Sequence, residues 1–160
     1  MEKVITFLDY AASQEDAVIT YHASDIVLEC HSDDSYLSEP GARSRDRGHF
    51  FLSSNAEMPA NNGAILNIAQ IIKAVMTSAS EAEIGVMYIN AQEAVPQIMT
   101  LSEMGHPQPR KPMQTDNYAA HAVVTNNVQP RKTETMEMRF HWLRCRDTQG
   151  QFTIIGNLAQ

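Results

Sequence analysis

The chain has 160 residues, of which 43% are hydrophobic and 19% are charged, and its net charge is −7. This composition is that of an ordinary soluble globular protein, and the length fits one domain with a sizeable core. Because no run of about 18 apolar residues occurs and the start lacks the basic and long apolar regions of a signal peptide, we expect no membrane partner and an intracellular location, cytoplasmic or nuclear.

The first half of the chain predicts a lead-in followed by three strands. Residues 1–24 form the lead-in, with a short helical turn from Val4 to Ala12. Apolar runs bounded by turn residues predict strands at 26–31, 48–53 and the early part of 64–76. Pro-Gly and Asn-Gly pairs lie between these runs and favour hairpin turns, which would make the strands antiparallel. Periodicity alone does not distinguish the third run from a buried helix.

The second half predicts helices that alternate with short strands. Thr77 to Glu83 supplies hydroxyls and then acids, which is typical of a helix start. We expect this helix to reach Ala94 and to kink or restart at Pro96. Later elements are predicted at 112–115 (strand), 117–126 (helix), 133–146 (helix) and 152–155 (strand). The order β-β-β-α-β-α-α-β predicts an α/β fold with a mixed sheet flanked by helices.

Charge is unevenly distributed along the chain. Residues 1–41 hold nine acids and one base, whereas residues 42–160 hold eleven bases and ten acids. The bases fall in small groups: Arg43, Arg45 and Arg47; Arg110 and Lys111; Arg131 and Lys132; and Arg139, Arg144 and Arg146. Such groups can contact a phosphate backbone even on an acidic protein. A solvated face is an equally weighted alternative.

Cysteine and histidine give no metal-binding signal. Cys30 and Cys145 lie far apart without CxxC spacing, so we expect two reduced core thiols and no disulfide. The six histidines are scattered, without HxxxH spacing or a Cys/His cluster, and this disfavours zinc.

Three acids lie where a predicted strand ends or a helix begins. Asp33 follows the first strand, Glu83 lies near the start of the long helix, and Asp116 follows the short strand at 112–115. Functional side chains of α/β sheets are often found at strand ends. Each acid alone also fits a structural role, as a turn residue, a helix-dipole acid or a helix cap. Asp34 is equally available as the turn residue.

Three short segments carry a resemblance: His31–Ser35, Ser80–Ile84 and Met113–Asn117. Their order and spacing resemble the ribonuclease H domain of copia-type retrotransposon polyproteins. The resemblance implies a ribonuclease H-like mixed sheet flanked by helices over residues 25–160, preceded by a connection segment at 1–24. It also implies two-metal hydrolysis of RNA in RNA–DNA hybrids, with the parent polyprotein's reverse transcriptase as partner.

The same resemblance assigns roles to particular residues. It implies that the acids Asp33, Glu83 and Asp116 are catalytic and are the ligands of Mg²⁺ or Mn²⁺. We also expect nucleic-acid contacts through a second set of residues, in which the cations come from the basic groups described above: Ser35, Arg43, Arg45, Asn117, Arg131 and Lys132.

The sequence also departs from this family in two places. Asp34 stands where a small residue is usual, and Gln160 stands where a fourth carboxylate would follow. We therefore expect a chain that lacks the family's C-terminal helix and has weakened hydrolysis. The alternative is a catalytically dead remnant that binds nucleic acid or protein.

Overall fold

The computed structural model describes residues 2–56, 59–115 and 134–156. The elements within these ranges are α1 (Glu2–Ala12), β1 (Val27–Glu39), β2 (Arg43–Ser53), β3 (Ala64–Ile71), α2 (Ala79–Glu103), β4 (Lys111–Thr115), α3 (Glu134–Thr148) and β5 (Phe152–Gly156). Their order agrees with the predicted one. The short helix predicted at 117–126 lies outside the described residues.

The hairpin formed by β1 and β2 is longer than its apolar runs predict. The two strands pair antiparallel from Val27 opposite Ser53 to Ser35 opposite Arg45. Polar residues continue the ladder, and two ion pairs between the strands help to hold this part of it. Asp33 pairs with Arg47 at 3.1 Å, and Glu39 pairs with Arg45 at 2.7 Å. The predicted strand ends at 31 and 48 therefore fall inside the strands of the structure.

Helix α2 is continuous through Pro96, so the predicted restart at this residue is wrong and the predicted kink stays a prediction. It begins after Ser78, whose hydroxyl accepts a hydrogen bond from the Glu81 N–H at 3.1 Å. Ile98 and Leu101, which follow the proline, pack against the same core as the residues before it. Burial of this apolar face stabilises one long helix and offsets the hydrogen bond that the proline removes.

The core lies between α2 and one face of the three-stranded sheet, whose strand order is β1-β2-β3. Leu28 and Phe50 from the sheet meet Met87 and Ala91 from α2. Helix α3 and strand β5 complete this cluster with Phe140, Leu143 and Phe152.

A second, two-stranded sheet pairs β4 and β5 in parallel, with Lys111 opposite Phe152. The Gln108 side chain joins the two sheets, because its amide oxygen accepts from the Leu28 N–H and its NH₂ donates to the Ile26 carbonyl, each at 2.9 Å. The Lys111 ammonium also contacts the Glu29 carboxylate at 3.0 Å.

The predicted division into a lead-in and a domain that starts at residue 25 stays a prediction. Within the described ranges, no helix has the length and apolar character needed to cross a membrane.

Candidate active site

Among the described residues, one face of the three-stranded sheet is covered by α2, and the other is exposed towards the end of the β1–β2 hairpin. Asp33 and Asp34 point to different faces. Asp34 lies directly opposite Asp46 in the ladder, so their side chains share a face. Asp46 is fully buried and accepts a hydrogen bond from Asn90 of α2 at 3.1 Å. We call this side the helix-covered face. Asp33 lies opposite Arg47, and these two side chains lie on the other side, which we call the open face.

Asp46 is held by amide groups within the covered layer. Gln70 of β3 donates to one carboxylate oxygen at 3.1 Å, and Asn90 donates to the other. Burial raises the pKa of the Asp46 carboxyl, and Glu93 raises it further, whereas the two amide hydrogen bonds oppose the shift. Gly48 permits the close approach of Asn90, since a Cβ at this position would lie 2.3 Å from the Asn90 amide oxygen.

Glu83 also lies in the layer between α2 and the sheet. Its side chain is only 8% exposed, and it shares a helix stripe with Met87 and Asn90, four and seven residues later. The first turn of α2 carries Glu81 instead. The Glu81 carboxylate accepts from the Thr77 N–H at 2.6 Å and so closes the helix start, in agreement with a structural role for Glu81.

Asp33 lies apart from this layer. Its side chain is 68% exposed and is paired with the Arg47 guanidinium. The structure therefore places Asp33 and Glu83 on opposite faces of the sheet and does not bring them together. The third predicted acid, Asp116, lies outside the described residues. Among the described residues, no group of three or more His, Cys, Asp or Glu is arranged to hold a metal ion.

The predicted nucleic-acid contacts from the first half of the chain come together at the far end of the β1–β2 hairpin. Ser35 lies opposite Arg45, and Arg43 lies opposite Glu39. The Arg45 guanidinium is anchored by the Glu39 carboxylate, and Arg43 donates to the Pro40 carbonyl at 3.2 Å. These contacts orient the cations next to one another. The other predicted contacts, Asn117, Arg131 and Lys132, lie outside the described residues.

Sequence reasoning missed Asp46 and Asn90. Strand alternation counted from the buried Phe50 back to Asp46 would have placed Asp46 on the apolar side, opposite Asp34. That signal was hidden because the predicted second strand began at Gly48. Cys30 packs against the core, and burial raises the pKa of its thiol to about 12. Cys145 is exposed on α3, so the expectation that both thiols lie in the core is wrong for Cys145.

Comparison with known proteins shows what fold the chain has but identifies no family or sequence relative. No family model matches the chain, and no curated protein matches its sequence. Solved structures do match. The N-terminal RNase H domain of Rv2228c from Mycobacterium tuberculosis, solved as a fusion with maltose-binding protein, aligns with a TM-score of 0.54 and 10% identity over 82% of this chain and 84% of that one. LC11-RNase H1, isolated from compost by a metagenomic approach, gives the same values.

Likeness at this identity defines the fold. The chain has an RNase H-like fold, and the predicted α/β class with a mixed arrangement of strands flanked by helices is confirmed.

Proposed function

We propose that this chain is a metal-dependent ribonuclease H-like domain that hydrolyses the RNA strand of RNA–DNA hybrids. The RNase H-like fold, shared over 82% of the chain with two RNases H, is the observation that carries the proposal. The placement of Glu83 and Asp34 on the helix-covered side of the sheet adds support, because carboxylates held in a packed layer are preorganised. A copia-type origin, with a reverse transcriptase partner in the same polyprotein, rests on the resemblance of the three segments.

The donor chemistry fits Mg²⁺ or Mn²⁺, which take hard oxygen ligands. Glu83 and Asp116 are two of the proposed ligands. The third comes from β1, where the resemblance assigns Asp33 and the shared face with Asp46 favours Asp34. The chemistry that ions held there would supply is activation of water and stabilisation of the leaving oxygen of the phosphodiester.

The protein's own groups position the carboxylates and the substrate. Gln70 and Asn90 occupy the Asp46 oxygens and fix the orientation of this carboxyl next to Asp34 in the ladder. At the hairpin end, Arg43 and Arg45 lie on the same face as Arg47, so their phosphate contacts would anchor a nucleic acid at the edge of the sheet without reading its sequence. Selection of the RNA strand requires contacts to ribose 2′-hydroxyls, and Ser35, beside Arg45, is the proposed donor at this end.

Cleavage of an end-labelled RNA–DNA hybrid tests the proposal. We expect product in Mg²⁺ or Mn²⁺ and none in EDTA. Glu83→Gln should lower the rate at least about 100-fold. Loss of a group that only supports a metal ligand costs up to about 100-fold, and Glu83 is proposed as a ligand itself. Glu81→Gln is the matched control on the same helix, since glutamine can keep the contact to Thr77 and the rate should stay unchanged.

Two results would contradict this function. The first is equal cleavage by the parent chain and Glu83→Gln. The second is a parent chain that binds the hybrid but yields no product in either metal, which would favour a binding module over a nuclease.

A further inference from the structure

The open face of the sheet carries two histidines directly opposite each other. His31 of β1 pairs with His49 of β2 in the antiparallel ladder. Cβ atoms of such pairs are about 4.5–5.5 Å apart, and their side chains share one face. Imidazole nitrogens bind zinc at about 2.0–2.1 Å, so two rings on neighbouring strands can reach a single ion.

Asn67 of β3 sets the protonation pattern of the His49 ring. The His49 Nδ1 atom lies 2.8 Å from the Asn67 side-chain oxygen. Because an amide oxygen only accepts, Nδ1 donates and the Nε2 atom of the neutral ring carries the lone pair. A hydrogen bond of this kind, from the second ring nitrogen to a neighbouring acceptor, is typical of histidines that bind a metal.

Both rings contact one aromatic neighbour on the same face. The fully buried Phe51 ring has its centroid 5.0 Å from His31 and 5.3 Å from His49, and the His31 residue is itself exposed. In the part of the chain that the structure describes, no hydrogen bond restrains the His31 ring. The two histidines and Asn67 line a shallow groove of about 590 Å³ on this face.

The neighbouring charges nearly cancel. Arg47 lies two residues before His49 on the same face and would repel a cation. Its guanidinium is paired with the Asp33 carboxylate at 3.1 Å, and Arg45 further along is paired with Glu39 at 2.7 Å. A divalent ion at the histidine pair therefore meets a local field close to neutral.

We propose that His31 and His49 form a binding site for a divalent transition-metal ion of the zinc and copper class, with Asn67 as the positioning residue. Imidazole nitrogen suits Zn²⁺ and Cu²⁺, whereas Mg²⁺ takes oxygen ligands. Water fills the remaining coordination positions. The bound ion cross-links β1 to β2 on the open face, so this site is separate from the carboxylates of the helix-covered face and does not depend on the proposed hydrolysis.

Calorimetric titration of the full chain with ZnCl₂, in the presence of excess Mg²⁺, tests the site. We expect one saturable Zn²⁺ site per chain and tighter binding of Cu²⁺, as the Irving–Williams order requires. His31→Ala and His49→Ala should each weaken binding at least tenfold. His141→Ala, which removes an exposed histidine of α3, is the control and should bind Zn²⁺ as the parent does.

The role of Asn67 has its own test. Asn67→Ala should weaken Zn²⁺ binding about tenfold, and Asn67→Asp should restore it because a carboxylate oxygen accepts the same hydrogen bond. Equal thermal midpoints of all variants without metal would show that folding is intact. The proposal is overturned if the parent shows no saturable Zn²⁺ binding, or if His141→Ala weakens binding as much as His31→Ala. Equal binding by Asn67→Ala and the parent would overturn the positioning role.

Discussion

A buried carboxyl such as Asp46 makes the stability of the fold depend on pH. Burial raises its folded-state pKa above the ordinary value of 3.8, so its contribution to stability is fully present below that value and is lost as the pH rises through the folded-state pKa. Asp46→Asn cannot ionise, and the Gln70 amide can rotate to pair with it. We predict that the free energy of unfolding of this variant, minus that of the parent, is larger at pH 7 than at pH 4, as measured by urea denaturation at both values. A relative loss over this interval would show that the carboxylate form is the favoured one.

Gly48 is required by packing between the sheet and α2. An added Cβ would lie 2.3 Å from the Asn90 amide oxygen and 2.9 Å from the Phe50 ring. The Asn90 amide cannot move away cheaply, since it is buried and bonded to Asp46 and to the Arg47 carbonyl. We predict that Gly48→Ala lowers the free energy of unfolding by about 1–3 kcal/mol. Gly105→Ala is a useful comparison, because its added Cβ meets no atom within 4 Å and its cost comes only from the positive φ of 91°.

At the scale of elements, the sequence predicted which segments fold and misjudged where they end. The apolar run that ends at His31 marks only the first part of β1. The rest of the strand is held by cross-strand ion pairs, Asp33 with Arg47 at 14 positions apart in the sequence and Glu39 with Arg45 at 6 positions apart. The proline at 96 predicted a break that tertiary packing of Ile98 overrides. Local signals identify these elements, and long-range contacts set their lengths.

The start of α2 was predicted correctly from its hydroxyls and acids, and its cap is testable. The Ser78 hydroxyl accepts the Glu81 N–H, which would otherwise lack a partner in the first turn. We predict that Ser78→Ala lowers the free energy of unfolding by about 1 kcal/mol. Ser102→Ala lies in the last turn, where the hydroxyl only adds a hydrogen bond to the Ile98 carbonyl, and it should lower the free energy of unfolding far less. Thermal melts of both variants provide the comparison. Equal costs for the two variants would exclude a capping role.

At the scale of the whole molecule, a nearly buried ion pair joins the two sheets. The Lys111 and Glu29 side chains are 7% and 13% exposed and lie 3.0 Å apart. Burial lowers the pKa of the Lys111 ammonium, and Glu29 opposes this shift. We predict that Lys111→Met lowers the free energy of unfolding by about 3–5 kcal/mol, because it leaves the Glu29 carboxylate buried without its cation.

The double variant provides the control for this pair. Glu29→Leu combined with Lys111→Met removes both charges and should recover most of the lost stability in chemical denaturation. Additive losses in the double variant would show that the two side chains act independently.

The placement of the predicted acids could be derived only in part, since a sequence does not show which face of a strand an acid occupies once the strand's ends are uncertain. The placement of Glu83 in the buried layer follows from helical spacing. The choice between Asp33 and Asp34 depends on the register with Asp46 and Arg47, which only the folded hairpin reveals.

We propose that carboxylates on the helix-covered face, and not those on the open face, support hydrolysis. The most direct measurement is the rate of cleavage of a labelled RNA–DNA hybrid in Mg²⁺ by Asp34→Asn and by Asp33→Asn, with folding of both checked by thermal melts. Loss of the exposed Asp33–Arg47 pair should cost at most about 1 kcal/mol of stability. We expect that Asp34→Asn loses activity as Glu83→Gln does and that Asp33→Asn cleaves within a few-fold of the parent. Loss of cleavage in Asp33→Asn with full activity in Asp34→Asn would contradict it.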